Sequence, residues 1–473
     1  MITLDYAGCL SDRVGPEHGM DPGRLDALTG KFESLTAKLE QTRGTGWERW
    51  RLLADPAGMR PEHTGPIAEL AKTHAGKWES LVVLGIGGSA LGNIALQSAL
   101  NPPTHNLMPA GERNGPRLFV LDNVDPNNFA AVMNAIDPKT TLFNVVSKSG
   151  ETAETAAQFM IIRDLLKNTV SNPADHIVAV TDPAKGTMRT ICDSEGYATL
   201  PVPEGVGGRF SVLSPVGLFS AAMCGIDIEK LLDGAHEMET RCRDTDLKAN
   251  PAAMLAALLC EMGNGTYTDG GEPKPNHVLM PYANNLYLLA DWFRQLWAES
   301  LGKRVNTAGD EVFAGYTPIK ALGATDQHSQ VQLYREGPND KVFGFLEVED
   351  FGEASPVTMP AGLGVEALSY LENQSMAKLI NAEKRATEYA LVESERPHFT
   401  IRFPRVDAEH VGQFVMLWQV ATAYAGLMLG IDAYDQPAVE TGKKATFGLM
   451  GRAGFEEWQA KVEGALGSAS HAV

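Results

Sequence analysis

At 473 residues the chain has room for several domains of roughly 100–200 residues each, which excludes a small scaffold stapled by disulfides. Its 44% hydrophobic and 21% charged residues exclude a disordered or collagen-like chain. Forty Lys and Arg against 59 Asp and Glu give a net charge of −19, which repels phosphate backbones and anionic lipid, so neither nucleic acid nor a membrane is expected as a partner.

Cys9, Cys192, Cys224, Cys242 and Cys260 are odd in number, widely spaced and form no CxxC pair. Neither a disulfide framework nor a zinc knuckle is indicated, and reduced thiols in a cytoplasmic protein are expected. The segment MITLDYAGCLSDRV carries Asp5 and Asp12 where a signal peptide needs a basic start and an apolar run, so secretion is not expected.

Along the chain, DPGRLDALTGKFESLTAKLE opens with a capping Asp21 and a proline. It then spaces Leu25, Leu28, Phe32, Leu35 and Leu39 at helical intervals, predicting a helical arm over 1–75. Short apolar runs follow: LVVLG, RLFVLD, TLFNVVS and HIVAVTD. They alternate with helical stretches and predict a parallel sheet with helices on both faces, an α/β domain over 76–225. Helical sequence over 226–275 ends in the punctuation Gly271–Pro275. A second α/β domain over 276–445 is predicted from HVLMPY, the helix NNLYLLADWFRQLWAESLGK, the strands QVQLYREGP and VFGFLEV, a helix around 365–392 and HFTIRF. A helix at WQAKVEGAL and a tail complete 446–473. The two similar α/β halves are compatible with an old duplication. Val411–Ile431 runs 21 residues without a charge. Its Gln413, Gln419, Thr422 and Tyr424, and the absence of flanking cations, predict a buried helix rather than a membrane span.

In an acidic chain, cations that meet an anionic substrate should stand out in motifs, and several do. GIGGSALG, Gly85–Gly92, joins a strand to a helix, with Gly85, Gly87 and Gly88 letting backbone amides approach a ligand at a helix start. The same glycines satisfy a dinucleotide fingerprint with Ala90 as the third small residue, and a plain tight turn would also fit. The acid expected about 20 residues further on is missing at that spacing, since Asp122 ends the next strand well beyond it. Ser147-Lys148-Ser149-Gly150-Glu151-Thr152 follows a strand and opens a helix. One hydroxyl would suffice as a cap, and three make a phosphate cradle the better reading. GGRFSVLSP presents Arg209 beside two glycines, suited to an oxyanion and equally to a surface ion pair.

Gln295 and Glu299 share a helical face with Asp291 and Trp292. A carboxylate there could act as a general base, although spacing alone favours a solvated glutamate. His328, between Gln327 and Ser329 at the predicted start of a strand, is a candidate acid–base group or an ordinary hydrogen-bonded histidine. His236 and Glu237 begin a zinc-protease pattern that Thr240 breaks, so no metal site is expected. In QPAVETGKKATFG, starting at Gln436, composition alone favours a solvated loop around Lys443 and Lys444.

Taken together and in this order, GIGGSALG, SKSGETAET, GGRFSVLSPVG, ADWFRQLWAESLGK, QHSQVQLYREGPNDK and QPAVETGKK resemble the glucose-6-phosphate isomerase family in its bacterial form, over about residues 80–450. The resemblance implies two sugar-isomerase (SIS) domains, each a parallel sheet sandwiched by helices. It implies interconversion of glucose 6-phosphate and fructose 6-phosphate with no cofactor, neither metal nor nucleotide. It implies a homodimer in which each active site borrows a histidine from the neighbouring subunit. Residue by residue, it makes Glu299 the base moving a proton between C2 and C1, His328 and Lys443 the ring-opening groups, and Arg209 the cation facing the enediolate. Ser147, Lys148, Ser149 and Thr152 would hold the phosphate, and Gly88, Ser89, Gln295 and Gln436 would bind sugar or phosphate.

One departure stands out. Where animal-type members show SKTFTT, this chain has SKSGET, which puts a carboxylate at Glu151 beside the expected phosphate and requires it to point away or be neutralised. Two other classes would share parts of the pattern. A non-catalytic sugar-phosphate sensor would keep SKSGET without needing Glu299 or His328, and a dehydrogenase would bind NAD through GIGGSALG.

Overall fold

The computed structural model describes residues 1–467, and the end of the predicted C-terminal tail, 468–473, lies outside the described residues. Strand β1 (Thr3–Asp5) opens the chain. Helices Pro22–Ala27, Thr29–Thr42 and Arg60–His74 make the predicted arm, the first capped by the Asp21 carboxylate accepting from the Arg24 amide. Strands β2 (Ser80–Leu84), β3 (Arg117–Leu121), β4 (Thr141–Val146), β5 (Ile177–Thr181) and β6 (Ala198–Pro201) form one parallel sheet in the order β3-β2-β4-β5-β6. All residues of β2, β4 and β5 are buried, which explains their unbroken apolar runs. Chain order reverses between β2 and β4. The loops leaving those two strands, Gly85–Ser89 and Ser147–Thr152, therefore face one crevice at the carboxyl end of the sheet, where α/β folds gather ligands.

The second sheet holds β7 (Asn276–Pro281), β10 (Thr317–Lys320), β11 (Lys341–Asp350) and β12 (His398–Arg405), all parallel, in the order β12-β11-β7-β10. A small antiparallel hairpin of β8 (Lys303–Val305) and β9 (Glu311–Ala314) lies outside it. The same reversal recurs, with β10 on one side of β7 and β11 on the other. Strand β1 closes the sheet as an antiparallel edge, Leu4 opposite Ile401. The arm is thus not wholly helical: a three-residue edge strand is too short to show a period, and its pairing partner lies almost 400 residues away.

Three further readings are corrected. QVQLYREGP is not a strand but a helix, Val331–Glu336. Its alternation is incidental, because Tyr334 alone is buried, against Phe343, while its hydroxyl donates one turn back to Gln330. The edge position belongs to β10, whose TPIK carries too little apolar run to be recognised. The segment after Gln436 is not a loop but a helix, Val439–Leu449, stabilised within itself by Lys443–Glu440 and by Thr446 donating to the Gly442 carbonyl. The helix expected around 365–392 spans Met376–Glu393, preceded by a 3-10 turn at Glu366–Leu371.

The uncharged stretch 411–431 is the core helix Ala408–Leu429, buried along most of its length. It meets helix Ile228–Arg241 backbone to backbone: a Cβ on Gly412 would lie 1.9 Å from the Leu231 carbonyl oxygen, and one on Gly234 as close to that of Glu409. Among the described residues no helix is long and apolar enough to cross a membrane. All five cysteines are buried and unpaired, and burial pushes the thiols of Cys192, Cys224, Cys242 and Cys260 up to about 11 or 12.

Candidate active site

The site grows from the crevice between β2 and β4. A cleft of about 400 Å³ there is lined by Ile86, Ser89, Val146, Ser147, Lys148, Ser149, Thr152, Thr155, Gln436 and Lys443. Two hydroxyl oxygens of the second loop accept from its own backbone, Ser147 from the Gly150 amide at 3.0 Å and Ser149 from the Glu151 amide at 3.1 Å. These bonds fix the oxygens and leave both O–H donors for a ligand. Thr152 is the N-cap residue of helix Ala153–Thr169 yet makes no side-chain cap, so its hydroxyl is also uncommitted. The cradle is therefore not spent on capping. It offers hydroxyl donors at the start of a 17-residue helix whose dipole favours an anion. Gly150 has φ +78, and a Cβ there would lie 2.3 Å from the Met188 amide nitrogen, so the turn admits only glycine without rearrangement.

The GIGG loop does two jobs. A Cβ on Gly88 would sit 2.2 Å from the Gly208 carbonyl group, so this glycine lets the GIGGS and GGRFS loops cross at backbone contact. Gly87, with φ +58, faces the Gln295 side chain, whose amide nitrogen would be 3.0 Å from a Cβ at that position.

The crossing delivers Arg209 into the interior, 4% exposed. Its Nε donates to Ser300 Oγ at 2.7 Å and its Nη1 to Glu299 Oε1 at 3.2 Å and Gln436 Oε1 at 2.8 Å. Its Nη2 donates to the carbonyls of Ala433 at 2.6 Å and Asp435 at 3.1 Å. All five N–H donors are used. Burial lowers the Arg209 pKa from its usual value, while Glu299, Asp435 and Asp432 act in the opposite direction. The second oxygen of Glu299 accepts from Gln295 Nε2 at 3.0 Å, one turn earlier on helix Tyr287–Leu301. Both carboxylate oxygens are thus held in fixed directions, with 28% of the side chain still open. Glu299 is not the solvated glutamate that spacing alone suggests, and Arg209 is a buried guanidinium rather than a surface ion pair.

Sequence reasoning missed three supports. Ser300 orients Arg209, the 433–435 carbonyls receive it, and Lys303 donates to the carbonyls of Glu299 at 2.9 Å and Ser300 at 2.7 Å. Lys303 closes the carboxyl end of the helix that carries Glu299, where a cation complements the dipole. Burial and then the charge of Arg209 lower its pKa. A lysine just after a helix was the available signal, but its partners are main-chain atoms that no side-chain motif records.

Of the residues predicted from sequence, the cleft gathers Ser89, Ser147, Lys148, Ser149, Thr152, Gln436 and Lys443, and Gln436 joins them through Arg209 to Glu299 and Gln295. Lys148 is exposed, with its ammonium 5.4 Å from the centre of the Trp47 ring, and Lys443 is paired with Glu440 at 2.7 Å. His328 stands apart. It ends the 3-10 turn Thr325–Gln327, is exposed, and does not line this cleft; the structure around it is a turn leading into a helix, not a strand. Glu151 is neutralised: its Oε2 lies 3.2 Å from Arg452 Nη2, and its Oε1 accepts from Thr187 Oγ1 at 3.3 Å.

Two parallel α/β sheets, with a hydroxyl cradle at one switch point and a clamped carboxylate beside it, have the architecture of a sugar isomerase. A crystal structure of a hypothetical protein from Thermus thermophilus superposes with a TM-score of 0.83 at 34% identity, covering 95% of this chain and 100% of that one. A glucose-6-phosphate isomerase from Chlamydia trachomatis shares the fold at a TM-score of 0.81 and 22% identity, over 98% and 92% of the two chains. Glucose-6-phosphate isomerases of Carboxydothermus hydrogenoformans and Rubrobacter xylanophilus are 46% and 41% identical, covering 93% and 96% of this chain and 92% and 99% of theirs. The phosphoglucose isomerase family pattern matches residues 69–450, and the chain belongs to that family, whose enzymes interconvert glucose 6-phosphate and fructose 6-phosphate in glycolysis and gluconeogenesis.

Proposed function

We propose that this chain carries out that aldose–ketose isomerisation through a cis-enediolate, with Glu299 as the base that takes the C2 proton of the open sugar and returns it to C1. The single observation that carries this reading is the two-sided clamp on Glu299, by Arg209 and Gln295, in a cluster joined through Gln436 to the hydroxyl cradle. A base that must serve two adjacent carbons in turn benefits from a fixed carboxylate. Ser147, Ser149 and Thr152 donate hydroxyl hydrogens to the phosphate, and Lys148 adds charge at the rim. Ser89, Gln295 and Gln436 bind sugar hydroxyls or phosphate, while Gly88 serves by admitting the loop that brings Arg209.

As the C2 proton leaves, negative charge grows on the C1 oxygen, and the Arg209 guanidinium stabilises it; the proton of the C2 hydroxyl then passes to the C1 oxygen, so that protonation at C1 leaves the carbonyl on C2. Since every Arg209 donor is in use, direct contact with that oxygen exchanges a bond now made to Glu299 or Gln436. Ring opening precedes this step and needs a proton moved from the C1 hydroxyl and one delivered to the ring oxygen. Lys443 and His328 are the acid–base pair for it.

His328 reaches the site as part of a homodimer, each subunit lending its histidine to the other; its exposure outside the cleft supports that reading. The domains are 76–225 and 276–445, each built on one parallel sheet, and the enzyme works in the cytoplasm. A coupled assay that supplies fructose 6-phosphate and reads glucose 6-phosphate formed tests the activity directly. No product above the uncatalysed rate would refute it.

A further inference from the structure

Glu151 lies between Ser149 and Thr152 in the chain, two hydroxyl-bearing residues that line the cleft, and its backbone amide donates to Ser149 Oγ. An unpaired carboxylate on this loop would therefore oppose a dianion bound in the cleft, screened over a Debye length of about 8 Å. Its counter-charge comes from a distant part of the chain. Helices Val439–Leu449 and Glu456–Leu466 form a C-terminal hairpin, exposed along most of its length, with Arg452 in the connecting turn.

The guanidinium lies 4.4 Å from the Phe447 ring centre and 5.4 Å from that of Phe455, so it is held by two aromatic residues of its own hairpin before it reaches Glu151. Among the described residues, Arg452 to Glu151 is the only side-chain hydrogen bond between 439–467 and the rest of the chain. Both side chains are about half exposed, 46% and 53%, where an ion pair adds little to stability. The pair's weight falls instead on the charge that the phosphate meets.

We propose that Arg452 is a positioning residue for substrate affinity: it neutralises Glu151 at the rim of the phosphate cradle and so makes the Gly-Glu form of this loop compatible with a phosphorylated sugar. This inference rests on the proposed function, because it takes the cradle to be the phosphate site. It assigns to the C-terminal hairpin an electrostatic contribution separate from that of Lys443.

The test compares the full-length wild type with Arg452→Gln, Glu151→Gln and the double variant, reading kcat and KM for fructose 6-phosphate and the inhibition constant of inorganic phosphate. Arg452→Gln leaves the carboxylate without its cation, and KM and the phosphate inhibition constant should rise roughly three- to tenfold with kcat within about twofold. Glu151→Gln should stay at or below the wild-type KM, and the double variant should return to within about twofold of wild type. Arg452→Lys, which keeps the charge, should also remain near wild type and guards against a fold defect in Arg452→Gln. An unchanged KM in Arg452→Gln overturns the proposal, and so does a double variant as weak as Arg452→Gln alone. If the wild type itself fails to isomerise fructose 6-phosphate, the functional reading falls, while calorimetric titration of the four proteins with inorganic phosphate still decides the charge effect.

Discussion

The two halves of the site are built on opposite plans. Around Arg209 and Glu299 every guanidinium donor is spent, the guanidinium is almost fully buried, and three segments of the chain meet: the 207–211 loop, the helix carrying Glu299 and Ser300, and 433–436 with its carbonyls and Gln436. Around Ser147 to Thr152 the hydroxyl hydrogens are free, Lys148 is exposed, and the charge balance is set by one half-exposed pair from the hairpin. On the proposed assignment, the first half fixes the base before the substrate arrives. The second keeps its donors open and takes their final arrangement from the ligand. In the proposed mechanism, preorganisation is thus concentrated where a proton must move in a defined direction, and openness where a mobile dianion must enter and leave.

This contrast orders the expected effects. The largest is Glu299→Gln, which keeps the shape but removes the proposed base. Turnover should fall by roughly 10²–10⁴-fold while KM changes little. Steady-state kinetics that showed near-wild-type kcat would remove Glu299 from the chemistry.

Next come Ser149→Ala and Thr152→Ala. Each deletes one donor to a charged group, worth about 1.5–3 kcal/mol, so affinity for sugar phosphates should drop roughly 10–150-fold. Binding of phosphorylated and unphosphorylated ligands, measured by calorimetry, separates a phosphate cradle from a structural turn. Equal weakening of both would point to the turn.

A third test concerns His328, the one predicted catalytic residue joined neither to the cleft nor to the Arg209–Glu299 cluster. His328→Ala and Glu299→Ala homodimers should each be nearly inactive. Mixed by subunit exchange, about half the dimers are heterodimers with one intact site, restoring roughly a quarter of wild-type activity by the symmetry of a two-fold interface. Heterodimers proven by native mass spectrometry without recovered activity would return His328 to its own subunit's site.

The smallest effect is none at all. Among the described residues no group of His, Cys, Asp and Glu is arranged to hold a metal ion, so dialysis against EDTA should leave activity unchanged. Activity lost to EDTA and regained with a divalent cation would contradict that.

The open half was legible in the sequence and the closed half much less so. SKSGET and GIGGSALG are local: strand, turn and helix start lie within ten residues, and the hydroxyl count favours a cradle over a plain cap, which the absence of a side-chain cap by Thr152 fits. Arg209 and Glu299 stand 90 residues apart, and Gln436 joins them from a further 137 residues on, so their contact depends on sheet order that no local pattern contains. Read by spacing, Glu299 looked solvated; only the family resemblance singled it out.

The fold divides similarly. Strands β2, β4 and β5, buried on both faces, announced themselves as apolar runs. Edge elements did not: β1 and β10 are three and four residues long, and QVQLY alternates like a strand while forming a helix. The pairing of Glu151 with Arg452 spans 301 residues and lay beyond any sequence argument.

In the proposed mechanism Glu299 moves a proton, not a hydride, between C2 and C1. The most direct test runs the reaction in D₂O and follows deuterium at C1 of fructose 6-phosphate and C2 of glucose 6-phosphate by NMR. A carboxylate that holds the proton between two carbons exchanges it with solvent during part of the turnovers, so the wild type should incorporate deuterium at both positions and Glu299→Gln at neither on the same timescale. Isomerisation by the wild type with no solvent deuterium at either carbon, or exchange by Glu299→Gln at the wild-type rate, would contradict the account.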